Sequence, residues 1–595
     1  MITLGINAAF HDSAAVLVVD GTTIAAAEEE RFTRVKHGKR PVPFTAWELP
    51  FNAIDFCLAQ GGVTLADVDH VAYSYDPREF IGARLHDGTA ASITLPLEPS
   101  AHRSGDWENP WDPLFAAYIV NAPRQLLDGA PHHLRKRITA VNKDVRYRWH
   151  FVNHHTCHQA SAFLAAPFAR CAVMTLDGRG EHTTTAYGVY RDDRYRALGQ
   201  VTMPHSLGML YERITSHLGF LHSSDEYKVM ALAALGTPSW RHTLAEHVRV
   251  GPDGQFRVDD MDLTALFGPA RVPGAPMEQH HLDLAASLQD VLEETALKLA
   301  AWLREASGER KLAMAGGVAL NCVMNARLRD SGMFDDVWVQ PAAGDAGTAL
   351  GAALWVDARQ RCATGSPDDA ESGAGIALAP KRWTMEHAYL GPGYDDGQIE
   401  ALLRWAQVPY RRAGDLAEET AALLAQNKII GWYQGRMEFG PRSLGARSIL
   451  ASPIEPSMQA RLNELKDRED FRPVAPAVTE EEFGRWFSPA EANGGKSPFM
   501  LFIYDVRPGQ GAKIPSACHT DRTARVQTVG ADTNPRFHAL LSAFGRLTGV
   551  PVLVNTSFNV RGEPIVCTPR AAIEAFYSTP LDALVIGAFI VEKQG

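Results

Sequence analysis

The stretch Ile2-Thr-Leu-Gly-Ile-Asn7, Phe10-His11-Asp12-Ser13 and Ala14-Ala-Val-Leu-Val-Val19 decides the fold. Two apolar runs of β type flank a short polar turn. Asp20-Gly21 then supplies a hairpin turn, and Ile24 to Glu29 continues as a third strand. Three strands in succession predict the opening of an α/β domain whose first turn carries His11 and Asp12.

A second unit of the same kind begins near Cys171. Ala172-Val-Met-Thr-Leu176 is an apolar strand, Asp177-Gly178-Arg179-Gly180 is a glycine-rich turn, and Thr184 to Val189 reads as the return strand. A repeated strand–turn–strand predicts two related halves, an arrangement typical of the actin-like ATPase fold.

Further glycine-rich turns follow apolar strands. Lys311 to Met314 leads into Ala315-Gly-Gly-Val-Ala-Leu-Asn321 and a helix, whose N-terminus is a natural anion site. Val337 to Gln340 leads into the turn that contains Asp345. The polar stretch from Cys362 to Arg382 has linker composition. We expect a domain over residues 1–365, a linker over 366–384 and a second α/β domain over 385–595.

Composition excludes several classes of protein. The chain has 595 residues, of which 46% are hydrophobic and 21% charged, so it is neither disordered, collagenous nor a coiled coil. A net charge of −11 disfavours bulk nucleic-acid binding. Seven cysteines without a C-x-x-C pair indicate neither a disulfide framework nor a Cys-rich zinc site. With no signal peptide and no apolar run of membrane-spanning length, we expect a cytoplasmic protein.

The sharpest chemical pattern is His154-His-Thr-Cys-His158. On a helix, residues i and i+4 share a face, so His154 and His158 can present two imidazoles to one metal; the alternative is a His-rich surface turn. Asp177 and Asp345 follow strand ends, where an α/β crevice opens. Two His and two Asp suit Fe(II), Mn or Zn. His11 is either a general base or a residue that only fixes its turn.

The C-terminal domain has a different pattern. Gly435-Arg-Met-Glu-Phe-Gly-Pro-Arg442-Ser-Leu-Gly-Ala-Arg-Ser448 interleaves Arg with Gly, and Lys466-Asp-Arg-Glu-Asp-Phe-Arg472 follows. Arg in glycine-rich turns favours an anionic small-molecule pocket over a salt-bridged surface. In the N-terminal domain, Asp225-Glu226-Tyr-Lys228 is either an acidic helix start or part of a site.

These motifs, with Glu28-Glu-Glu-Arg-Phe-Thr-Arg-Val-Lys-His37 and Val554-Asn-Thr-Ser-Phe-Asn559, resemble the NodU/CmcH-type O-carbamoyltransferases almost end to end. The resemblance implies an actin-like ATPase (ASKHA) N-terminal domain, as in the threonylcarbamoyl-transferases, and a YrdC-like C-terminal domain. It implies that carbamoyl phosphate and ATP, with Mg²⁺, give carbamoyl adenylate in the C-terminal domain. The carbamoyl group then passes to a hydroxyl at an Fe(II) site in the N-terminal domain.

The resemblance also implies roles for individual residues. It makes His11 the catalytic base and His154, His158, Asp177 and Asp345 the metal ligands. The nucleotide or carbamoyl-adenylate site of the N-terminal domain comprises Asp12, Gly178, Glu226, Lys228, Gly316, Gly317 and Asn321. The carbamoyl phosphate and ATP site of the C-terminal domain comprises Arg442, Arg447, Lys466, Arg472, Arg525, Asn555 and Arg561.

The implied acceptor is a small hydroxylated molecule, as in antibiotic or other secondary-metabolite biosynthesis, with no nucleic-acid or membrane partner. Residues 81–147 match no motif and are expected to shape the acceptor pocket. The oligomeric state stays open between monomer and homodimer. Two other functions stay open as well: an actin-like-fold small-molecule kinase, which would release ADP, and a non-catalytic ATP-gated binding protein.

Overall fold

The computed structural model of the chain describes residues 1–38, 48–81, 118–129, 144–362, 375–489 and 495–593. The first sheet has the order β3-β2-β1-β4-β5. Its strands β1 and β2 are antiparallel, as are β2 and β3, whereas β1, β4 and β5 are parallel. The bounds are Ile2–Asn7 (β1), Ala14–Val19 (β2), Thr22–Glu28 (β3), His70–Tyr73 (β4) and Arg148–Phe151 (β5).

A second sheet repeats this pattern. Its order is β12-β11-β6-β7-β8-β13, with β6, β7 and β8 antiparallel and β6, β11 and β12 parallel. Both sheets therefore join three antiparallel strands to two parallel ones in the same order, as two related halves require. The bounds are Cys171–Leu176 (β6), Thr183–Arg191 (β7), Arg194–Thr202 (β8), Val248–Val250 (β9), Phe256–Val258 (β10), Lys311–Ala315 (β11), Asp336–Val339 (β12) and Ile376–Ala377 (β13); β9 and β10 form a separate hairpin.

The C-terminal domain is built on an eight-stranded sheet with the order β14-β24-β23-β15-β16-β22-β17-β21. The small sheet β18-β19-β20 lies beside it. The bounds are Arg411–Arg412 (β14), Ile430–Tyr433 (β15), Arg447–Ala451 (β16), Ala475–Thr479 (β17), Phe487–Ser488 (β18), Ile503–Val506 (β19), Thr523–Arg525 (β20), Gln527–Val529 (β21), Val552–Ser557 (β22), Ala583–Ile586 (β23) and Phe589–Glu592 (β24).

The helices cover the sheets and bury their apolar faces. The described helices are Glu30–Thr33 (α1), Phe51–Gly61 (α2), Pro77–Ile81 (α3), Ala122–Asp128 (α4), His154–Phe163 (α5), Leu207–His217 (α6), Glu226–Ala233 (α7), Arg241–His247 (α8), Leu263–Phe267 (α9), Gln279–Ser307 (α10), Cys322–Asp330 (α11), Ala346–Arg361 (α12), Asp396–Trp405 (α13), Leu416–Ala425 (α14), Met458–Leu465 (α15), Glu480–Trp486 (α16), Pro535–Thr548 (α17) and Pro569–Ser578 (α18).

Helix α12 lies between the two halves, where it contacts α5, β1 and β2. Small residues on α12 make this close packing possible. A Cβ atom on Gly351 would lie 1.7 Å from the carbonyl oxygen of Cys157 on α5. This close approach sets the distance between the N-terminal ends of α5 and α12, which carry predicted metal ligands.

The linker prediction needs a correction at its C-terminal end. Residues 363–374 lie outside the described residues, but Ile376–Ala377 pairs with Tyr195 and Arg194 of β8. The N–H of Met385 also donates to the carbonyl oxygen of Ala165. Residues 375–385 therefore pack onto the N-terminal domain, because this short strand extends the free edge of its second sheet.

The two domains meet through the segment Glu28–His37. The N–H of Gly440 donates to Glu28 at 2.9 Å, and Arg31 donates to the carbonyl oxygen of Gly440 at 2.8 Å. Arg34 reaches the carbonyl oxygen of Ile565 at 2.7 Å. Buried contacts of this kind fix the C-terminal domain against the first sheet.

Residues 81–147, which we expected to shape the acceptor pocket, are only partly described by the structure. Residues 82–117 and 130–143 lie outside the described residues. Among the residues that are described, no helix has the length and apolar character needed to span a membrane.

Candidate active site

The predicted histidine pair lies on helix α5. Asn153 begins the helix, since its side chain accepts the N–H of Thr156 at 3.0 Å. His154 and His158 are both fully buried, and their Nε2 atoms are 3.1 Å apart. The helical spacing predicted from the sequence is therefore present, and the two imidazole rings lie on the same face of α5 with their Nε2 atoms side by side.

Two carboxylates complete the cluster. Asp177 follows the end of β6, and its Oδ2 lies 3.5 Å from His154 Nε2 and 3.7 Å from His158 Nε2. Asp345 precedes α12, and its Oδ1 lies 3.6 Å from His154 Nε2 and 3.7 Å from His158 Nε2. The structure thus brings all four predicted ligands together.

The donor set fits a transition-metal cation. Metal–ligand bonds of about 2.1 Å place neighbouring ligand atoms about 3 to 3.5 Å apart, close to the separations found here. Two imidazole nitrogens and two carboxylate oxygens suit Fe(II), Mn or Zn better than Ca or Mg. A cation here would also compensate the two negative charges that the buried carboxylates carry.

Surrounding groups hold the four ligands in place. The Oδ1 atom of Asp177 accepts the N–H of Gly317 at 2.7 Å, which leaves Oδ2 toward the cluster. Glu181 accepts the backbone N–H of His154 at 3.0 Å, and the carbonyl oxygen of Ser74 lies 3.3 Å from His154 Nδ1. Such outer contacts fix ring orientation and tautomer at metal sites.

The charges of the His/Asp cluster favour the binding of a cation. Burial alone would raise the pKa of Asp345, but the imidazoles of His11 and His154 outweigh it and lower that pKa to about 2. Burial likewise opposes the charged form of His154, yet the carboxylates raise its pKa well above the ordinary value. Against the cost of burial, His154 and His158 also hold the pKa of Asp177 well below its ordinary value, so both carboxylates are ionised at neutral pH and attract a cation.

The first turn of the chain lies beside this cluster. His11 Nε2 is 3.8 Å from Asp345 Oδ2, while His11 Nδ1 is 2.9 Å from Asp12 Oδ2. Phe10 packs edge-on against His154, with ring centroids 5.4 Å apart. The predicted base His11 therefore lies next to the His/Asp cluster, with Nδ1 facing Asp12 and Nε2 facing Asp345.

A cavity of about 1180 Å³ extends from the His/Asp cluster to the C-terminal domain. Its N-terminal wall includes His11, Asp12, Gly178, Gly317, Asn321 and Glu226. Its C-terminal wall includes Arg442, Lys466, Arg468, Arg472 and Arg561. The two predicted sites are thus two ends of one cavity.

At the C-terminal end, Arg472 and Arg561 lie near Glu469, whereas Arg442 and Arg468 have no ion-pair partner among the described residues. Burial, followed by the charge of Arg525, lowers the pKa of Arg442 to about 9. Burial and the charge of Arg472 lower the pKa of Arg468 to about 9 as well. Arg442 Nε, Arg525 Nε and Arg468 Nη2 find no hydrogen-bond partner among the described residues. Arg442 and Arg468 line the cavity, whereas the predicted site residue Arg525 does not. Guanidinium groups that face a cavity without an ion-pair partner favour binding of a polyanion.

Lys466 is held by backbone oxygens at this end. Its ammonium group contacts Ser557 and donates to the carbonyl oxygen of Asn559 at 2.9 Å and to its Oδ1 at 2.8 Å. Burial, followed by the charge of Arg468, lowers its pKa well below the ordinary value. An anion in the cavity would relieve this repulsion.

Two predicted phosphate-binding residues are corrected by the structure. Arg447 is fully buried away from the cavity, donates to the carbonyl oxygens of Gln434 at 2.8 Å and Pro392 at 2.9 Å, and stacks 3.7 Å from the ring of Tyr433. Asn555 donates to Gln527 at 2.7 Å inside the sheet. Both residues satisfy the packing of the C-terminal domain and do not line the cavity.

Two predicted N-terminal site residues have structural partners. A Cβ atom on Gly316 would lie 2.1 Å from the carbonyl oxygen of Leu176, so Gly316 is required for the contact between β11 and β6 and does not line the cavity. Lys228 does line it, but its ammonium group pairs with Asp225 at 3.0 Å and with Glu469 at 2.9 Å. Its charge is therefore balanced within the protein.

Two residues of the cavity wall were missed from the sequence as site residues. Arg468 lies inside the run Lys466 to Arg472, whose charge density was the available signal. His37 ends the quoted motif that begins at Glu28, and its Nδ1 lies 2.8 Å from Asp12 Oδ1. Only the folded chain shows that the second residue contacts the first turn.

Comparison with known proteins agrees with this geometry. A family model described as Carbamoyltransferase N-terminus matches residues 2–354, and one described as Carbamoyltransferase C-terminus matches residues 421–593. The chain is 36% identical over 596 residues to Nodulation protein NolNO of Sinorhizobium fredii, covering 99% of this chain and 80% of that protein. It is 37% identical over 633 residues to protein sll1178 of Synechocystis, covering 99% and 96%.

Among solved structures, the chain is similar to the activator of the 2-hydroxyisocaproyl-CoA dehydratase from Clostridium difficile. The identity is 12%, the match covers 63% of this chain and 97% of that chain, and the TM-score is 0.30. The family of this chain follows instead from the family models and the relatives. Since they span both domains and nearly the whole chain, this protein belongs to the carbamoyltransferase family.

Proposed function

We propose that the protein is an ATP-dependent O-carbamoyltransferase. It forms carbamoyl adenylate in a YrdC-like C-terminal domain and transfers the carbamoyl group to an alcohol beside the His/Asp cluster. The observation that supports this proposal is the single cavity of about 1180 Å³, which has uncompensated arginines at one end and a metal-type cluster at the other. A chain that performs two steps in one cavity protects a labile intermediate from water.

The first step suits the cationic end. Water attacks carbamoyl phosphate and releases inorganic phosphate and carbamate, whose oxygen then attacks the α-phosphorus of ATP and displaces pyrophosphate. The polyphosphate and the carbamoyl phosphate both carry several negative charges. Arg442, Arg468, Arg472 and Lys466 would neutralise these charges and hold the reacting groups in line.

The second step suits the N-terminal end. An alcohol oxygen attacks the carbonyl carbon of carbamoyl adenylate, the bond from that carbon to the AMP oxygen breaks, and AMP leaves with the bonding electrons. His11 Nδ1 lies 2.9 Å from Asp12 Oδ2 and its Nε2 lies 3.8 Å from Asp345 Oδ2, so Nε2 is the nitrogen that would take the alcohol proton beside the His/Asp cluster. Fe(II) held by His154, His158, Asp177 and Asp345 would supply Lewis-acid charge to this half of the reaction when bound.

The acceptor is proposed to be a small hydroxylated metabolite. A cavity of this size accommodates a nucleotide intermediate together with a small molecule. The net charge of −11 disfavours a nucleic-acid acceptor.

The test is product analysis with labelled substrates. Iron-loaded protein is incubated with labelled carbamoyl phosphate, ATP and a panel of hydroxylated acceptors. The proposal predicts pyrophosphate, AMP and a carbamate ester, all lost in Arg468→Met and retained in Arg570→Met, a change at an exposed arginine outside the cavity. ADP with a phosphorylated acceptor would indicate the kinase instead, and nucleotide binding without turnover would indicate a binding protein.

A further inference from the structure

The carboxylate of Asp12 lies between two imidazoles. Its Oδ2 is 2.9 Å from His11 Nδ1, and its Oδ1 is 2.8 Å from His37 Nδ1. Each carboxylate oxygen thus has its own histidine. His11 turns its other nitrogen toward Asp345, with Nε2 3.8 Å from Asp345 Oδ2.

Hydrogen bonds of its own backbone hold His37 in place. The N–H of His37 donates to Glu30 Oε2 at 2.6 Å, and its carbonyl oxygen accepts the N–H of Asp12 at 3.1 Å. Asp12 and His37 both adopt left-handed backbone conformations, with φ of 52° and 59°. Non-glycine residues in this conformation cluster where surrounding structure holds a functional group.

The same segment is tied to the C-terminal domain. Glu30 pairs with Arg31 at 2.9 Å, and Arg31 donates to the carbonyl oxygen of Gly440 at 2.8 Å. The position of His37 is therefore set by buried contacts on both sides of the domain interface. His37 Nε2 is buried and has no hydrogen-bond partner among the described residues, so the ring acts through Nδ1.

We infer that His37 is a positioning residue for carbamoyl transfer; this inference rests on the proposed function. The Nδ1–H of His37 donates to one oxygen of Asp12 and prevents the carboxylate from rotating. The other oxygen then accepts Nδ1–H from His11 and fixes both its ring plane and its tautomer. This contact holds His11 Nε2 beside Asp345, where it would take the alcohol proton.

The closing experiment compares His37→Asn with His37→Leu. The asparagine amide can place a donor where Nδ1 stood, while leucine fills similar space without a donor. Iron-loaded protein receives carbamoyl phosphate, ATP and glycerol as a generic alcohol. Pyrophosphate release reports the C-terminal step, and glycerol carbamate reports transfer.

We expect pyrophosphate release to be unchanged in both variants. His37→Leu should lower kcat for glycerol carbamate by about 10- to 100-fold with KM for glycerol unchanged, whereas His37→Asn should stay within about threefold of the unmodified protein. In the Asp12→Asn background, adding His37→Leu should cost little more, since both act through one contact.

Three results would overturn the inference. The first is full transfer by His37→Leu, and the second is equal damage by His37→Asn and His37→Leu, which would indicate a purely structural role. The third is loss of a bound metal equivalent in His37→Leu, which would make Asp12, Glu30 and His37 a second metal site. Absence of pyrophosphate from the unmodified protein would instead refute the proposed function.

Discussion

Replacing Arg442 by methionine should stabilise the ligand-free protein while weakening its binding of anions. Arg442 lines the cavity, where burial and the neighbouring Arg525 lower its pKa to about 9. Its Nε finds no hydrogen-bond partner among the described residues. The folded protein therefore holds this positive charge at a cost that only an anionic ligand offsets.

The expected size of the effect follows from the pKa. An arginine pKa lowered from 12.5 to about 9 corresponds to about 5 kcal/mol of disfavoured charge, which we reduce to about 1–2 kcal/mol because Arg442 is only half-buried and solvent screens its charge. At about 2–4 °C per kcal/mol, Arg442→Met should raise Tm by about 2–8 °C. Loss of one charge-assisted contact should weaken pyrophosphate binding by about 10- to 100-fold.

Scanning calorimetry with and without pyrophosphate measures both effects. The unmodified protein should gain stability from pyrophosphate, and Arg442→Met should start from a higher Tm but gain much less. Arg570→Met is the matched control, because Arg570 is exposed and pairs with Glu574 at 2.8 Å. A lower Tm for Arg442→Met without ligand, or an undiminished gain from pyrophosphate, would refute the reasoning.

Three further changes have expected outcomes. Asp345→Asn removes one ligand of the His/Asp cluster and should reduce bound iron by at least about tenfold, as measured by mass spectrometry of metal content; equal iron content would contradict the site. Gly351→Ala places a Cβ atom 1.7 Å from the Cys157 carbonyl oxygen. It should lower the free energy of unfolding, measured with denaturant, by about 1–3 kcal/mol and should reduce iron affinity. An unchanged denaturation midpoint would show that α5 and α12 can move apart freely. Arg447→Met should lower the free energy of unfolding by about 2–4 kcal/mol, because it leaves buried carbonyl oxygens without a hydrogen-bond donor. Titration calorimetry of the folded variant should show unchanged pyrophosphate affinity, and a weaker affinity would mean that Arg447 belongs to the binding site.

Local sequence was sufficient for the strands and for the His/Asp cluster. Ile2–Asn7 and Cys171–Leu176 are mostly apolar and are followed by polar turns, so the sequence shows both that they are strands and where their site residues lie. His154 and His158 are related by helical spacing, which predicts their common face. The resemblance then correctly grouped them with Asp177 and Asp345.

The errors arose where arginines share one local pattern but differ in tertiary surroundings. Arg442 and Arg447 lie in the same glycine-rich run, yet one lines the cavity and the other is enclosed by carbonyl oxygens and Tyr433. Only the register of β15 against β16 separates them, because it places Arg447 opposite Tyr433 inside the sheet. The role of His37 depends likewise on its contact with Asp12, 25 residues earlier in the chain.

The central claim is that activation and transfer occur at opposite ends of one cavity. Rapid-quench analysis of Asp345→Asn with ATP and carbamoyl phosphate tests it most directly. The account predicts a pyrophosphate burst and accumulation of carbamoyl adenylate, with AMP and carbamate ester formed slowly. Loss of the pyrophosphate burst in Asp345→Asn, or formation of ADP in its place, would contradict the account.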